Sequence, residues 1–191
     1  MKTVILAGGF GTRLAEYTDI IPKPMVKIND KEILIRIINI YLSYGIQEFY
    51  IALGYKSEYI RKYFNCFDDK PVNFEINNKK AKIHLINTGE NSMTGGRILM
   101  LKDYIANERF MLTYGDGVSD INIDKLIKFH KNHGKMVTVS AVRPPARFGA
   151  LKLENERVVK FEEKSQLNEG WINGGFFVIE PEFINFIKRA D

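Results

Sequence analysis

The stretch Thr3-Val4-Ile5-Leu6-Ala7-Gly8-Gly9-Phe10-Gly11-Thr12-Arg13-Leu14 decides the reading of this chain. Thr3 to Ala7 is a continuous apolar, β-branched run. That is the pattern of a buried parallel strand, and the glycines after it end it in a tight loop. Backbone N–H groups in such a loop can approach a phosphate, and Arg13 stands where it could pair with one. This is not a Walker loop, because the closing lysine and Ser/Thr are missing, and Leu14 occupies the third position of a GxGxxG fingerprint. A plain structural turn accounts for the glycines equally well.

Working outward, Ile21-Pro22-Lys23-Pro24-Met25 follows within a short distance. Its two prolines hold Lys23 in an extended, pre-set backbone, as a phosphate ligand would require. Helical spacing runs from Ile33 to Tyr44 with Gly45 as the stop, Glu48 to Leu53 reads as a strand, and Ser57 can cap a helix through Phe64. Lys70 to Ile76 and Lys82 to Asn87 form a hairpin around Asn77-Asn78. Arg97 to Ile105 reads as a helix, Arg109 to Tyr114 as a strand, Asp124 to His133 as a helix and Met136 to Val142 as a strand. Ala150 to Leu153 pairs with Val158 to Glu163, and strand Gly175 to Ile179 precedes helix Pro181 to Lys188. The alternation predicts an α/β fold, a doubly wound, mostly parallel Rossmann-like sheet with an added antiparallel hairpin. Ligands of such sheets bind at the carboxyl ends of the strands, where the glycines at 8–11, 115–117 and 174–175 fall.

The bulk composition limits the classes of function. With 191 residues, 45% of them hydrophobic, the chain can bury the core of a single domain, which excludes disorder. Its net charge of +5 would favour polyanions such as nucleotides, nucleic acid or anionic lipid, but it is modest and the signs are mixed, which reads first as a solvated, slightly basic surface; no nucleic-acid partner is expected. The lone Cys66 makes no internal disulfide or metal pair, which points to a reducing compartment. The apolar run after Met1-Lys2 is far shorter than the ~20 residues of a membrane span. A cytoplasmic protein without a membrane partner is expected. No placed nucleophile stands out, since His84, His130 and His133 fall in ordinary strand or helix patterns.

LAGGFGTRL (Leu6–Leu14), PKPMV from Pro22, SMTGGR (Ser92–Arg97), TYGDGVSD (Thr113–Asp120), RFGAL (Arg147–Leu151) and INGGFF (Ile172–Phe177) together resemble the sugar-1-phosphate nucleotidyltransferases, and within them the cytidylyl branch. The blocks stand in that family's order. The resemblance implies transfer from CTP to a sugar 1-phosphate, α-D-glucose 1-phosphate by first choice, giving CDP-sugar and pyrophosphate with Mg²⁺ as cofactor. It implies that Gly8, Gly9, Gly11, Thr12 and Arg13 cradle the triphosphate, with Arg13 on the β and γ oxygens and Lys23 over the α-phosphate. Ser92 and Arg97 would contact the nucleotide, with backbone near Leu6, Gly8 and Gly115 completing the site. Asp116 would hold Mg²⁺, because a hard oxygen in an open glycine-flanked loop suits an ion that keeps its waters, although Asp-Gly is also an ordinary turn. Asp120 reads first as a cap. Arg97 reads otherwise as an exposed charge opening a helix, where its sign is unfavourable.

Gly149, Lys164, Asn173 and Gly174 match the family's sugar-phosphate elements, with Ser165 in place of a proline after Lys164. The stretch from Phe67 to Lys82 is shorter than the family's, and the chain ends at Asp191, before a C-terminal segment carrying a second metal-binding aspartate. The expectation is one catalytic core, 1–191, possible as a homo-oligomer, that meets Mg²⁺ through Asp116 and phosphates. The alternatives are another nucleotide or phosphorylated acceptor on the same fold, and a nucleotide-binding regulator without catalysis.

Overall fold

A computed structural model of the chain describes residues 1–11, 20–144, 150–162 and 170–188. In chain order the elements are β1 (Lys2–Leu6), a 3-10 turn (Lys23–Met25), β2 (Lys27–Ile28), β3 (Lys31–Glu32), α1 (Ile33–Ser43), β4 (Glu48–Leu53), α2 (Ser57–Tyr63), β5 (Val72–Ile76) and β6 (Lys79–Asn87). There follow α3 (Thr94–Met100), α4 (Lys102–Ile105), β7 (Phe110–Tyr114), α5 (Ile123–His133), β8 (Val137–Val142), β9 (Ala150–Glu154), β10 (Arg157–Glu162), β11 (Ile172–Ile179) and a second 3-10 segment (Pro181–Phe186). Seven strands form one sheet in the order β5-β6-β4-β1-β7-β11-β8. β1 runs parallel to β4 and β7, and β4 parallel to β6, while β5 and β11 are antiparallel to their neighbours β6 and β7. The expected α/β class holds. The chain divides into two compact units, Met1–Thr138 with Gly175–Asp191, and Val139–Gly174.

Period-two alternation in the central strands explains why the sheet of the larger unit is covered on both faces. Val4, Tyr50, Ala52 and Leu112 pack with Ile98, Leu101 and Ile105 of the α3–α4 stretch and with Ile184. Their neighbours Ile5, Phe49, Ile51 and Met111 pack instead with Ile37 and Tyr41 of α1, Ile60 of α2 and Ile123 of α5. Val4 and Ile5 of β1 and Phe49, Tyr50, Ile51 and Ala52 of β4 are buried, so the middle of each strand is shielded on both faces. The hairpin turn is where Asn77 and Asn78 place it, both with positive φ (50° and 60°), a conformation that asparagine tolerates better than most residues. In the smaller unit β9 and β10 pair antiparallel through a turn at Asn155 and Glu156.

Several local expectations are corrected. The helix expected over Arg97–Ile105 starts at Thr94 and breaks at Leu101, whose N–H turns to the Ile98 carbonyl at 3.1 Å in a 3-10 pattern. Pro181–Phe186 is likewise 3-10, not α-helical. Ser57 opens α2 without capping it, since the N-cap is Lys56 in left-handed backbone (φ 52°). Asp120 caps nothing; Asn122 caps α5, its side chain accepting from Lys125 N at 2.9 Å. The antiparallel β2–β3 pair escaped the sequence pattern because each strand is two residues long.

Candidate active site

β1, β4, β6 and β7 run in the same direction, and the loops leaving their carboxyl ends carry Gly8, Gly54, Gly89 and Gly115. Gly115 N donates to Leu6 O at 2.9 Å, which ties the β7 exit to the end of β1. A side chain there has no room, as its Cβ would lie 2.9 Å from Leu6 O and 3.0 Å from Pro24 Cγ. That close approach brings the proline-flanked turn beside Asp116. Pro22 is extended (φ −66°, ψ 144°), but Lys23 itself enters a 3-10 turn, its carbonyl accepting from Val26 N at 3.1 Å, so the extended backbone expected of Lys23 belongs to the residue before it. Pro24 and Met25 are buried and anchor the turn. Lys23 Nζ donates to Asp116 Oδ2 at 2.5 Å, and both side chains keep some exposure, 22% and 39%.

A cavity of about 310 Å³ opens here, within the ordinary range of small-molecule pockets. Leu6, Gly8, Gly9, Gly11, Lys23, Ser92, Arg97, Gly115 and Asp116, all expected at the site, line it together. Pro24, Met93, Thr94 and Tyr114, which lie inside the quoted motifs without an assigned ligand contact, line it too, and Glu90 and Asn91 were not singled out in the sequence. Thr12, Arg13, Gly149 and Lys164 lie outside the described residues. Asn173 and Gly174 belong to the smaller unit, where a Cβ on Gly174 would meet Val142 Cγ1 at 2.9 Å and Ser140 O at 3.0 Å, which requires glycine for packing.

Arg97 departs furthest from its reading as an exposed charge opening a helix. It stands in the last turn of α3, only 4% exposed. Nη1 donates to Leu53 O (3.1 Å), Thr88 Oγ1 (2.7 Å) and Gly89 O (2.7 Å), and Nη2 to Gly8 O (2.9 Å) and Glu90 O (3.0 Å). Among the described residues no carboxylate forms an ion pair with it, and burial alone pulls the guanidinium below its ordinary pKa. Burying a charge costs several kcal/mol unless its hydrogen-bonding groups are satisfied, roughly the situation these acceptors meet. Ser92 Oγ donates to Thr88 O at 2.5 Å, so its hydroxyl proton is engaged and its oxygen keeps only acceptor capacity.

A glycine loop, a cation and a carboxylate meet at the carboxyl ends of parallel strands, where ligands of such sheets bind, and over residues 2–191 the chain belongs to the nucleotidyl transferase family. It is similar to the glucose-1-phosphate cytidylyltransferase of Salmonella typhi, 45% identical over 202 residues that span 99% of this chain and 79% of that one. A probable glucose-1-phosphate cytidylyltransferase of Bacillus subtilis (strain 168) is 40% identical over 200 residues, 99% and 78% of the two chains. Among solved structures, HddC from Yersinia pseudotuberculosis aligns over 100% of this chain and 81% of its own with TM-score 0.73 and 29% identity. The same protein has been solved in complex with GMP-PN. Among the described residues, no helix is long and apolar enough to cross a membrane.

Proposed function

We propose that this chain transfers the cytidylyl group of CTP to a sugar 1-phosphate, α-D-glucose 1-phosphate by first choice, in the cytoplasm. The observation that carries the reading is the Lys23–Asp116 pair at 2.5 Å in one cavity with the glycine loop, in a chain 45% identical to an enzyme of that activity. A phosphate oxygen of the sugar attacks the α-phosphorus; the new P–O bond forms as the bond to the bridging oxygen breaks, and the electron pair leaves with pyrophosphate. No proton need be removed and no covalent enzyme intermediate is needed, because the attacking phosphate is already ionised near neutral pH. Lys23 holds the α-phosphate and stabilises the charge that builds on its oxygens. Gly8, Gly9, Gly11, Thr12 and Arg13 hold the rest of the triphosphate, and Gly149, Lys164, Asn173 and Gly174 serve the sugar phosphate.

Asp116 fits Mg²⁺ of one kind only. Among the described residues no three His, Cys, Asp or Glu cluster as a cage, whereas a single partly exposed carboxylate suits an ion that keeps its waters and shares the substrate's phosphates. Held there, the ion would neutralise charge on the triphosphate. Ser92 supports cytosine over uracil: an oxygen left only with acceptor capacity matches the exocyclic amine of cytosine and not the carbonyl that uracil has in its place.

Pyrophosphate release with glucose 1-phosphate and Mg²⁺, run with each of CTP, UTP, dTTP, ATP and GTP, tests the reading. CTP is expected to support release and Asp116→Ala to slow it by about 10²- to 10³-fold. Release with GTP in preference to CTP would move the chain toward a guanylyl reading, which the GMP-PN complex of HddC keeps in view. CTP binding without release on any sugar phosphate would favour a regulator.

A further inference from the structure

We propose that Arg97 is a positioning residue that pins the loop after β1 to the loop after β6, so that the triphosphate cradle and the base-reading Ser92 are set in one arrangement before any nucleotide arrives. The inference rests on the cytidylyltransferase reading of the cavity. Its first support is where the hydrogen bonds end: Gly8 O lies in the cradle, Leu53 O at the end of β4, and Thr88 Oγ1, Gly89 O and Glu90 O in the loop that carries Ser92. Both terminal nitrogens are engaged by protein, so the fork of the guanidinium is committed to the loops. Thr88 extends the connection, its N and Oγ1 donating to Leu53 O at 2.9 and 2.7 Å, while its carbonyl accepts from Ser92.

The second support is steric. A Cβ on Gly8 would lie 2.1 Å from Arg97 Nη1, and one on Gly54 would lie 2.6 Å from Nη1, 2.6 Å from Gly8 O and 2.8 Å from Gly89 O. Backbone from three separate loops therefore closes on a single planar group. Lysine cannot replace it, because an ammonium presents its donors from one point while guanidinium presents a flat fork able to reach acceptors on several sides. Gly54 is absent from the cavity lining, so a side chain added there reaches the site only by displacing Arg97 or the carbonyls it holds.

Hydrogen exchange on the ligand-free chain, wild type against Arg97→Lys, Arg97→Ala and Gly54→Ala, tests the pin, together with KM for CTP, kcat and the CTP to UTP ratio. Exchange at 8–11 and 88–94 is expected to quicken about tenfold or more while α1 stays protected. KM for CTP should rise roughly 10- to 100-fold with a smaller fall in kcat, as expected when loops are displaced by about an ångström, and the CTP to UTP ratio should shrink. Millimolar guanidinium should restore Arg97→Ala but not Gly54→Ala, whose new methyl fills the guanidinium's place. A raised KM with unchanged ligand-free exchange would make Arg97 a direct nucleotide contact and overturn the pin. Protection lost throughout the chain with KM unchanged would overturn it in favour of a purely structural role. If Arg97→Ala does not fold, Arg97→Lys carries the comparison. A wild type inactive with every nucleotide would defeat the functional reading, and the exchange measurement would still decide the pin.

Discussion

Arg97 and Lys23 bring positive charge to the same cavity by contrary means. Arg97 is 4% exposed, held by four carbonyls and a hydroxyl, and ion-paired with no carboxylate among the described residues, while the Lys23 side chain is 22% exposed and pairs with Asp116. A buried, multiply bonded cation is costly to move. A partly exposed ion pair contributes only about 0–1 kcal/mol and opens readily. On the function proposed above, the difference separates framework from chemistry: the first charge would shape the site, and the second would exchange its partner for a phosphate, leaving Asp116 to meet Mg²⁺.

Removing the exchangeable pair should give the largest effect on rate. Lys23→Ala and Asp116→Ala are each expected to lower kcat by about 10²- to 10³-fold while changing stability by no more than about 1 kcal/mol, measured by turnover and thermal melts on the same samples. Arg97→Ala should invert that balance, destabilising the chain by roughly 3 kcal/mol as buried acceptors lose their donor, which urea unfolding would read. A melt unaffected by Arg97→Ala would erase the distinction.

Much of this was legible in the sequence and some was not, for a physical reason. The strands of the sheet and the hairpin at Asn77-Asn78 followed from local signals, uninterrupted β-branched runs, period and turn residues, while the cavity residues followed from the glycine loop and Lys23 together with the family resemblance of their motifs. Arg97 was visible as a site residue by its motif but misread in environment, because its burial depends on Gly8, Gly54 and Gly89, about forty positions apart, meeting around it. No window of sequence contains that convergence. Gly54 was legible only as the residue that ends the Glu48–Leu53 strand, for the same reason. The 3-10 form of Pro181–Phe186 was equally hidden, since apolar spacing over six residues does not separate a 3-10 from an α-helical turn.

A smaller effect sharpens the comparison at the base. Ser92→Ala should lower the CTP to UTP preference about tenfold, as expected for one lost hydrogen bond, with kcat for CTP much less changed. An unaltered ratio would remove Ser92 from base recognition.

The smallest effect lies in another part of the larger unit. His130 is 1% exposed, its ring nitrogens meeting Thr138 Oγ1 at 2.7 Å and Glu180 Oε1 at 3.1 Å, and burial holds its pKa below the ordinary 6.5 despite the Glu180 carboxylate. The folded chain thus binds its proton less readily than the unfolded one, so this contribution to stability is present above pH 6.5 and is lost as the pH falls toward the lowered value. His84 is shifted in the same direction, chiefly by burial, and adds to the slope. Thermal melts between about pH 8 and about pH 5 should show stability falling with acid, and His130→Gln should flatten that fall without abolishing it. An unchanged slope would show that His130 does not contribute to the loss of stability in acid.

The most direct test follows the phosphorus atoms of CTP and glucose 1-phosphate by ³¹P NMR in the presence of Mg²⁺ and the purified chain. Paired diphosphate resonances of CDP-glucose appearing in step with pyrophosphate, and slowed by about 10²- to 10³-fold with Asp116→Ala, are the predicted result. CTP left intact, or converted without the sugar phosphate being consumed, would contradict the account.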